Sequence, residues 1–163
     1  MKKYHKQDQK LLATWAADCA DRVLTLFEKA HPSDDRPKKA IETCRRWVYT
    51  DEFTMANIRS ASLRAHAAAR EAKANPAACF AARAAGHAVA TAHVPQHAFG
   101  AAYYALKATA AADPHRAETN VFKELQWQSQ HIAPHLKTEV LRRLIIQKGK
   151  NCITIKIQKD ADF

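Results

Sequence analysis

A chain of 163 residues, 47% apolar and 26% charged, has the length and composition of one folded domain with a core of its own, and these values exclude a disordered polymer. Three glycines against 34 alanines leave little turn chemistry for an all-β protein and favour helices, alanine being the best helix former. The net charge of +10 allows attraction to an acidic protein or to nucleic-acid phosphates, yet the lysines lie at both ends (Lys2, Lys3, Lys6 and Lys10; Lys148, Lys150, Lys156 and Lys159), as on a solvated surface.

The basic amino terminus, Met1 to Lys6, does not lead into a secretory apolar segment, because Asp18, Asp21 and Arg22 interrupt the run that follows. A first helix is predicted over about 8–29, with Leu12, Trp15, Cys19, Val23 and Leu26 on one stripe. His31-Pro32 ends it, since the residue before proline avoids the α conformation.

A second helix is predicted over about 36–49, facing inward through Ile41, Cys44 and Trp47 or Val48, with Asp34 and Asp35 as candidate caps. The third spans about 54–74 and buries Met55, Ile58, Ser62, Ala65 and Ala69. Asn75 caps the fourth, Pro76 occupies its first position, and it runs to about His93. The fifth covers about 95–112 with Phe99, Tyr103 and Leu106. Asp113-Pro114 starts the sixth, through Val121, Leu125 and Trp127-Gln128. Pro134 opens the seventh, with Leu136, Val140, Leu141, Leu144 and Ile145 inward and a Glu139–Arg143 pair on its flank.

The expected fold is therefore all-α: a bundle of about seven helices, with a degenerate helical array as the alternative. Residues 1–150 form the helical domain and 151–163 an extension. In that extension Ile153-Thr154-Ile155-Lys156-Ile157 alternates like a strand. A lone strand needs a partner, and the expectation is pairing in a homodimer through residues 151–157.

Alanine fills 24 of the 52 positions from Ala61 to Ala112. Methyl side chains cannot fill wide gaps, so these helices should approach to the short end of the usual ~8–10 Å range. Gly86 and Gly100 fit a close backbone contact, and Gly86→Leu should overpack it by about 1–3 kcal/mol.

His66, His87, His93 and His97 lie in the same segment. His87, His93 and His97 are candidate metal ligands, with HxxxH spacing at 93–97, but Pro95 breaks the helix that would align the pair. The favoured reading is neutral imidazoles hydrogen-bonding between close helices, with no metal and no cofactor. Cys19, Cys44, Cys79 and Cys152 lack paired zinc spacing and are expected as buried free thiols.

No GxSxG, glycine-rich phosphate loop or P-loop lysine occurs. Asp34-Asp35 and Asp51-Glu52 lie at helix starts, where capping accounts for them, and a Cys79–His pairing is no more than chance would give. No catalytic residues are predicted. Arginine, histidine and the weak lipid preference of alanine keep the centre from spanning a membrane, so a cytoplasmic protein is expected.

The strings Ser62-Leu63-Arg64-Ala65-His66-Ala67-Ala68-Ala69-Arg70 and Ala81-Ala82-Arg83-Ala84-Ala85-Gly86-His87-Ala88-Val89-Ala90-Thr91-Ala92-His93-Val94 resemble a family of bacterial immunity proteins from polymorphic-toxin systems, described as like the fifth immunity class. His97-Ala98, Gly100-Ala101-Ala102-Tyr103-Tyr104-Ala105-Leu106, and Glu124 before Trp127-Gln128 continue the likeness, over roughly 55–147. The resemblance implies an all-α fold that binds and neutralises a cognate toxin. It transfers no binding residues. The polar and aromatic members of the motif, His66, Arg83, His87, His93, His97, Tyr103, Tyr104 and Trp127, are the candidate contacts.

Against a basic nuclease a +10 inhibitor would be repelled, so the target surface should be acidic or the contact mainly apolar. The alternative is a basic helical nucleic-acid-binding module, which clustering of Arg45, Arg46, Arg59, Arg64 and Arg70 on one face would favour. A histidine–metal enzyme comes third.

Overall fold

The computed structural model describes residues 3–150 and 152–160. Among the described residues seven helices follow one another: α1 (Lys6–Ala30), α2 (Arg36–Thr50), α3 (Met55–Glu71), α4 (Pro76–Ala90), α5 (His97–Ala112), α6 (Ala117–His131) and α7 (Pro134–Arg143), with a 3-10 turn at Pro114–Arg116 ahead of α6. A hairpin of β1 (Leu144–Lys148) and β2 (Ile153–Ile157) follows α7.

The central element is α4, which packs on α1, α2, α3 and α5. Its sequence explains that position, because alanines, Cys79, Gly86 and Val89 make it apolar on almost every side, and a helix apolar all round must be surrounded. Bulk comes from its neighbours: Trp15 and Phe27 of α1, Ile41 and Trp47 of α2, and Phe99 and Leu106 of α5 fill what the methyl groups leave open. The Cys44 thiol donates to the Ala88 carbonyl at 3.2 Å and, pushed up to about 12 by burial, stays protonated.

Asn75 begins α4 as expected, accepting the Ala78 N–H at 3.1 Å ahead of Pro76. Asn75→Ala is expected to cost about 1 kcal/mol in urea denaturation, and an unchanged midpoint would show that the helix start is held by packing alone.

Four expectations need correction. Met55 is exposed, because it opens α3 one turn before the buried row begins at Ile58. Cys152 is exposed beside the hairpin turn, whereas Cys19, Cys44 and Cys79 are buried. Leu141 is exposed on α7. Helix α7 stops at Arg143, so Leu144 and Ile145 belong to β1, where the β-branched Ile145-Ile146 pair favours a pleated backbone.

That fourth change supplies the C-terminal strand with its partner. It lies in the same chain, antiparallel, in register Leu144↔Ile157 through Lys148↔Ile153. The lone strand expected to pair across a homodimer is thus one arm of an internal hairpin. Ile153, Ile155 and Ile157 are half-buried and Thr154 and Lys156 exposed, as the alternation requires. β2 lies against α5.

Among the described residues no helix is long and apolar enough to cross a membrane.

Candidate functional site

The motif residues meet on one side of the bundle, where α3, α4 and α5 run side by side. An ideal Cβ at Gly86 would lie 2.8 Å from the His66 ring, and one at Gly100 only 2.6 Å from the His87 ring. The expectation of touching backbones is corrected here. Each glycine makes room for an imidazole from the preceding helix, and the device occurs twice in succession. Ser62 adds a hydrogen bond to the Gly86 carbonyl at 3.0 Å.

The rings form a row. The His66 and His87 centroids are 5.1 Å apart, those of His87 and His97 5.2 Å, and the Nδ1 atoms of His87 and His97 lie 3.1 Å from each other. At that distance one ring donates and the other accepts, so the two carry opposite tautomers. Burial drives His66 down to about 4, with Arg83, His97 and Arg70 adding to it, and His87 to about 3, helped by His66, His97, Arg83 and Lys159. His97 is lowered as well, by burial and then by His93. All three are neutral at physiological pH.

Because the unfolded chain takes up these protons near pH 6.5 and the folded one only well below it, stability falls as pH drops from about 6.5 towards 4. The urea midpoint at pH 5 should therefore lie below that at pH 7.5, and His87→Asn should narrow the difference. Equal slopes for wild type and variant would contradict this role for His87.

Outside the row, Phe80, Arg83 and His87 fall at i, i+3 and i+7 on α4, facing Gly100, Tyr104 and Lys107 at i, i+4 and i+7 on α5. Tyr104 stacks on His87 at 5.3 Å and on Phe80 at 6.1 Å, which makes a strip of three rings. Tyr103 meets Tyr104 edge-on at 5.0 Å. The Arg83 guanidinium lies 5.7 Å from the Tyr104 ring, and Lys107 Nζ lies 4.3 Å from Phe80 and 5.5 Å from Tyr103. Two adjoining hollows of about 290 and 280 Å³ open beside the strip, sharing His87, Gly100, Ile157 and Lys159.

Of the eight candidate contacts, His66, Arg83, His87, His97, Tyr103 and Tyr104 are brought together here. His93 sits exposed in the α4–α5 turn, its ring 6.4 Å from His97, so the HxxxH pair does not share a helix. Among the described residues no group of three or more His, Cys, Asp or Glu is placed to hold a metal ion.

Trp127 lies elsewhere, on α6, with the Arg22 guanidinium 4.0 Å above its ring and His131 stacked at 4.0 Å. Its motif neighbours fasten helices. Buried Glu124 binds Arg22 of α1, while Gln128 donates to the Ala102 carbonyl of α5 and accepts the Trp15 indole N–H at its own carbonyl.

Phe80 and Lys107 were not singled out from the sequence. The i, i+3, i+7 spacing of Phe80, Arg83 and His87 was the signal for the first; Lys107 had none.

A separate cleft of about 450 Å³ between α2 and α3 brings Arg46 and Arg64 together with Arg36 and Lys39. Acids balance it: Asp34 and Glu71 hold Arg36, Asp35 holds Lys39, and Glu42 and Glu52 share the lining. Arg45 is tied to Asp18 and Asp21 of α1 instead. Of the five arginines that a nucleic-acid surface would gather on one face, Arg46 and Arg64 line this cleft and Arg45 pairs with α1 instead.

A family model described as Imm-5 like putative immunity protein matches residues 2–135. The match starts far earlier than the likeness read from the motif at 55–147, taking in α1 and α2, and it ends at the start of α7. No curated protein and no solved structure matches the chain.

Proposed function

Because the chain belongs to the Imm-5 like family of immunity proteins, we propose that it protects a bacterial cell by binding and neutralising a cognate toxin in the cytoplasm, without chemistry of its own. What carries the binding-only part of this reading is the state of the motif histidines. General acid–base catalysis works best with a group that titrates near the working pH, and His66 and His87, at about 4 and about 3, stay neutral through that range. Their rings fill space over glycines, so they order three helices and the face those helices present. Tyrosine and arginine, the residue types over-represented at binding hot spots, lie on that face.

Co-expression with the toxin domain encoded beside its gene should restore growth, and the two proteins should co-elute in size-exclusion chromatography. Continued killing, with no complex, would remove the reading. The ring strip also gives the nucleic-acid alternative a specific footing, since bases stack on aromatic faces beside cations, and the experiment below separates the two.

A further inference from the structure

We infer that the outer face of α4 and α5, centred on Arg83, Tyr104 and Lys107, is a docking surface for an acidic, carboxylate-bearing protein segment. That the segment belongs to a toxin rests on the function proposed above; the chemistry of the surface does not.

The cations of this face lie over aromatic rings rather than beside acids. On α1 and α2, by contrast, Lys6, Lys10, Arg22, Arg36, Lys39 and Arg45 each meet a carboxylate. Arg83 and Lys107 meet only rings, and among the described residues no carboxylate pairs with either. Arg83 also weighs on both His66 and His87, lowering them as a cation does. Two cations held over a neutral aromatic floor with no carboxylate beside them are complementary to carboxylates, and the floor lowers the local dielectric in which they would pair.

The face is also pre-ordered. Tyr104 is held between His87 and Phe80, and the His87 ring is seated over Gly100. Little side-chain freedom remains to be lost on binding, which is the usual cost of recruiting large side chains to an interface. The adjoining hollow of about 280 Å³ adds a mainly apolar recess walled by Val94, Ile157 and the His87 ring. An acidic segment carrying one aromatic or aliphatic anchor fits this combination. A nucleic-acid backbone, which needs cations along a track, finds two on this strip.

The test uses the full chain and two probes: a fluorescein-labelled glutamate–tyrosine random copolymer and a single-stranded RNA of matched charge. Arg83→Glu/Lys107→Glu should weaken copolymer binding by at least about tenfold, whereas Lys123→Glu/Lys137→Glu, with the same change in net charge on exposed sites of α6 and α7, should leave it within about twofold. Melting temperatures within ~2 °C of wild type verify folding, and Arg83→Gln/Lys107→Gln replaces the reversal if it does not fold.

No copolymer binding by the wild type, equal loss in both variants, or tighter binding of RNA through the same residues would overturn the inference. The toxin co-expression separates the two ideas. A face variant that protects as well as wild type removes the docking surface and leaves immunity standing. A wild type that binds the copolymer through this face but fails to protect removes immunity and leaves the surface.

Discussion

An Arg143→Met variant should lose about 3–5 kcal/mol of folding stability, the largest loss expected of any single substitution considered for this chain. Arg143 ends α7 with its side chain wholly buried. Its Nε donates to Glu139 at 3.1 Å, its Nη1 donates to Asp160 at 3.1 Å, and the guanidinium lies 5.4 Å from the Phe99 ring. Glu139, only 10% exposed, also accepts the Tyr4 hydroxyl at 2.6 Å. Through Glu139, one cation thus joins Tyr4 ahead of α1 to α7 and the segment after β2, where Gln158 N–H also bonds the Arg143 carbonyl at 2.8 Å.

Removing the cation takes from the buried Glu139 carboxylate the guanidinium that offsets its charge, and breaking a buried pair from one side costs more than the pair contributed. The double variant Glu139→Leu/Arg143→Met should recover a large part of the loss for the same reason. Urea denaturation followed by tryptophan fluorescence measures both. A single-variant loss below about 1 kcal/mol would mean that water replaces the guanidinium at little cost.

The second large effect reverses sign with background. Gly100→Ala should destabilise by about 1–3 kcal/mol, because the new methyl would stand 2.6 Å from His87 Nδ1 and 2.9 Å from its Cγ. The ring cannot step aside easily, since Tyr104 stacks on one side and His97 holds its Nδ1. In a His87→Ala background the obstacle is gone, and the same replacement should stabilise by up to about 1 kcal/mol through helix propensity. Thermal unfolding of the four proteins of this cycle gives the coupling directly. Additive effects would show that ring and glycine do not depend on each other.

Legibility in the sequence followed the range of the interactions involved. Helix starts at Pro76 and Pro134, and the cap at Asn75, act within a few residues and could be read from them. The central place of α4 was implicit in a stretch where alanine leaves it apolar on nearly every side but that of Arg83 and His87. The first hairpin strand was not legible, because Leu144-Ile145-Ile146 continues the spacing of Leu136 and Val140, and a short apolar run suits helix and strand alike. Glu139 and Arg143 read as an ordinary surface pair. Their burial depends on Tyr4 and Asp160, more than a hundred residues apart.

The candidate site was half visible. The motif gave Arg83, His87 and Tyr104, but composition showed only a cation excess. Which cations already have acids, and which face rings alone, is decided by helix packing. The glycines were recognised as places of close approach, while the identity of what approaches, an imidazole rather than a backbone, needed the relative rotation of α3, α4 and α5.

A centre built from methyl groups can change size in one direction only. At Ala81, Ala85 or Ala101, each wholly buried, every substitution except glycine enlarges the side chain and pushes two backbones apart. Tolerated change is therefore expected further out, at positions such as Phe80, Lys107 and Ile157 that rim the α4–α5 face. If opponents diversify, such a scaffold keeps pace by repainting its edge while its interior stays frozen.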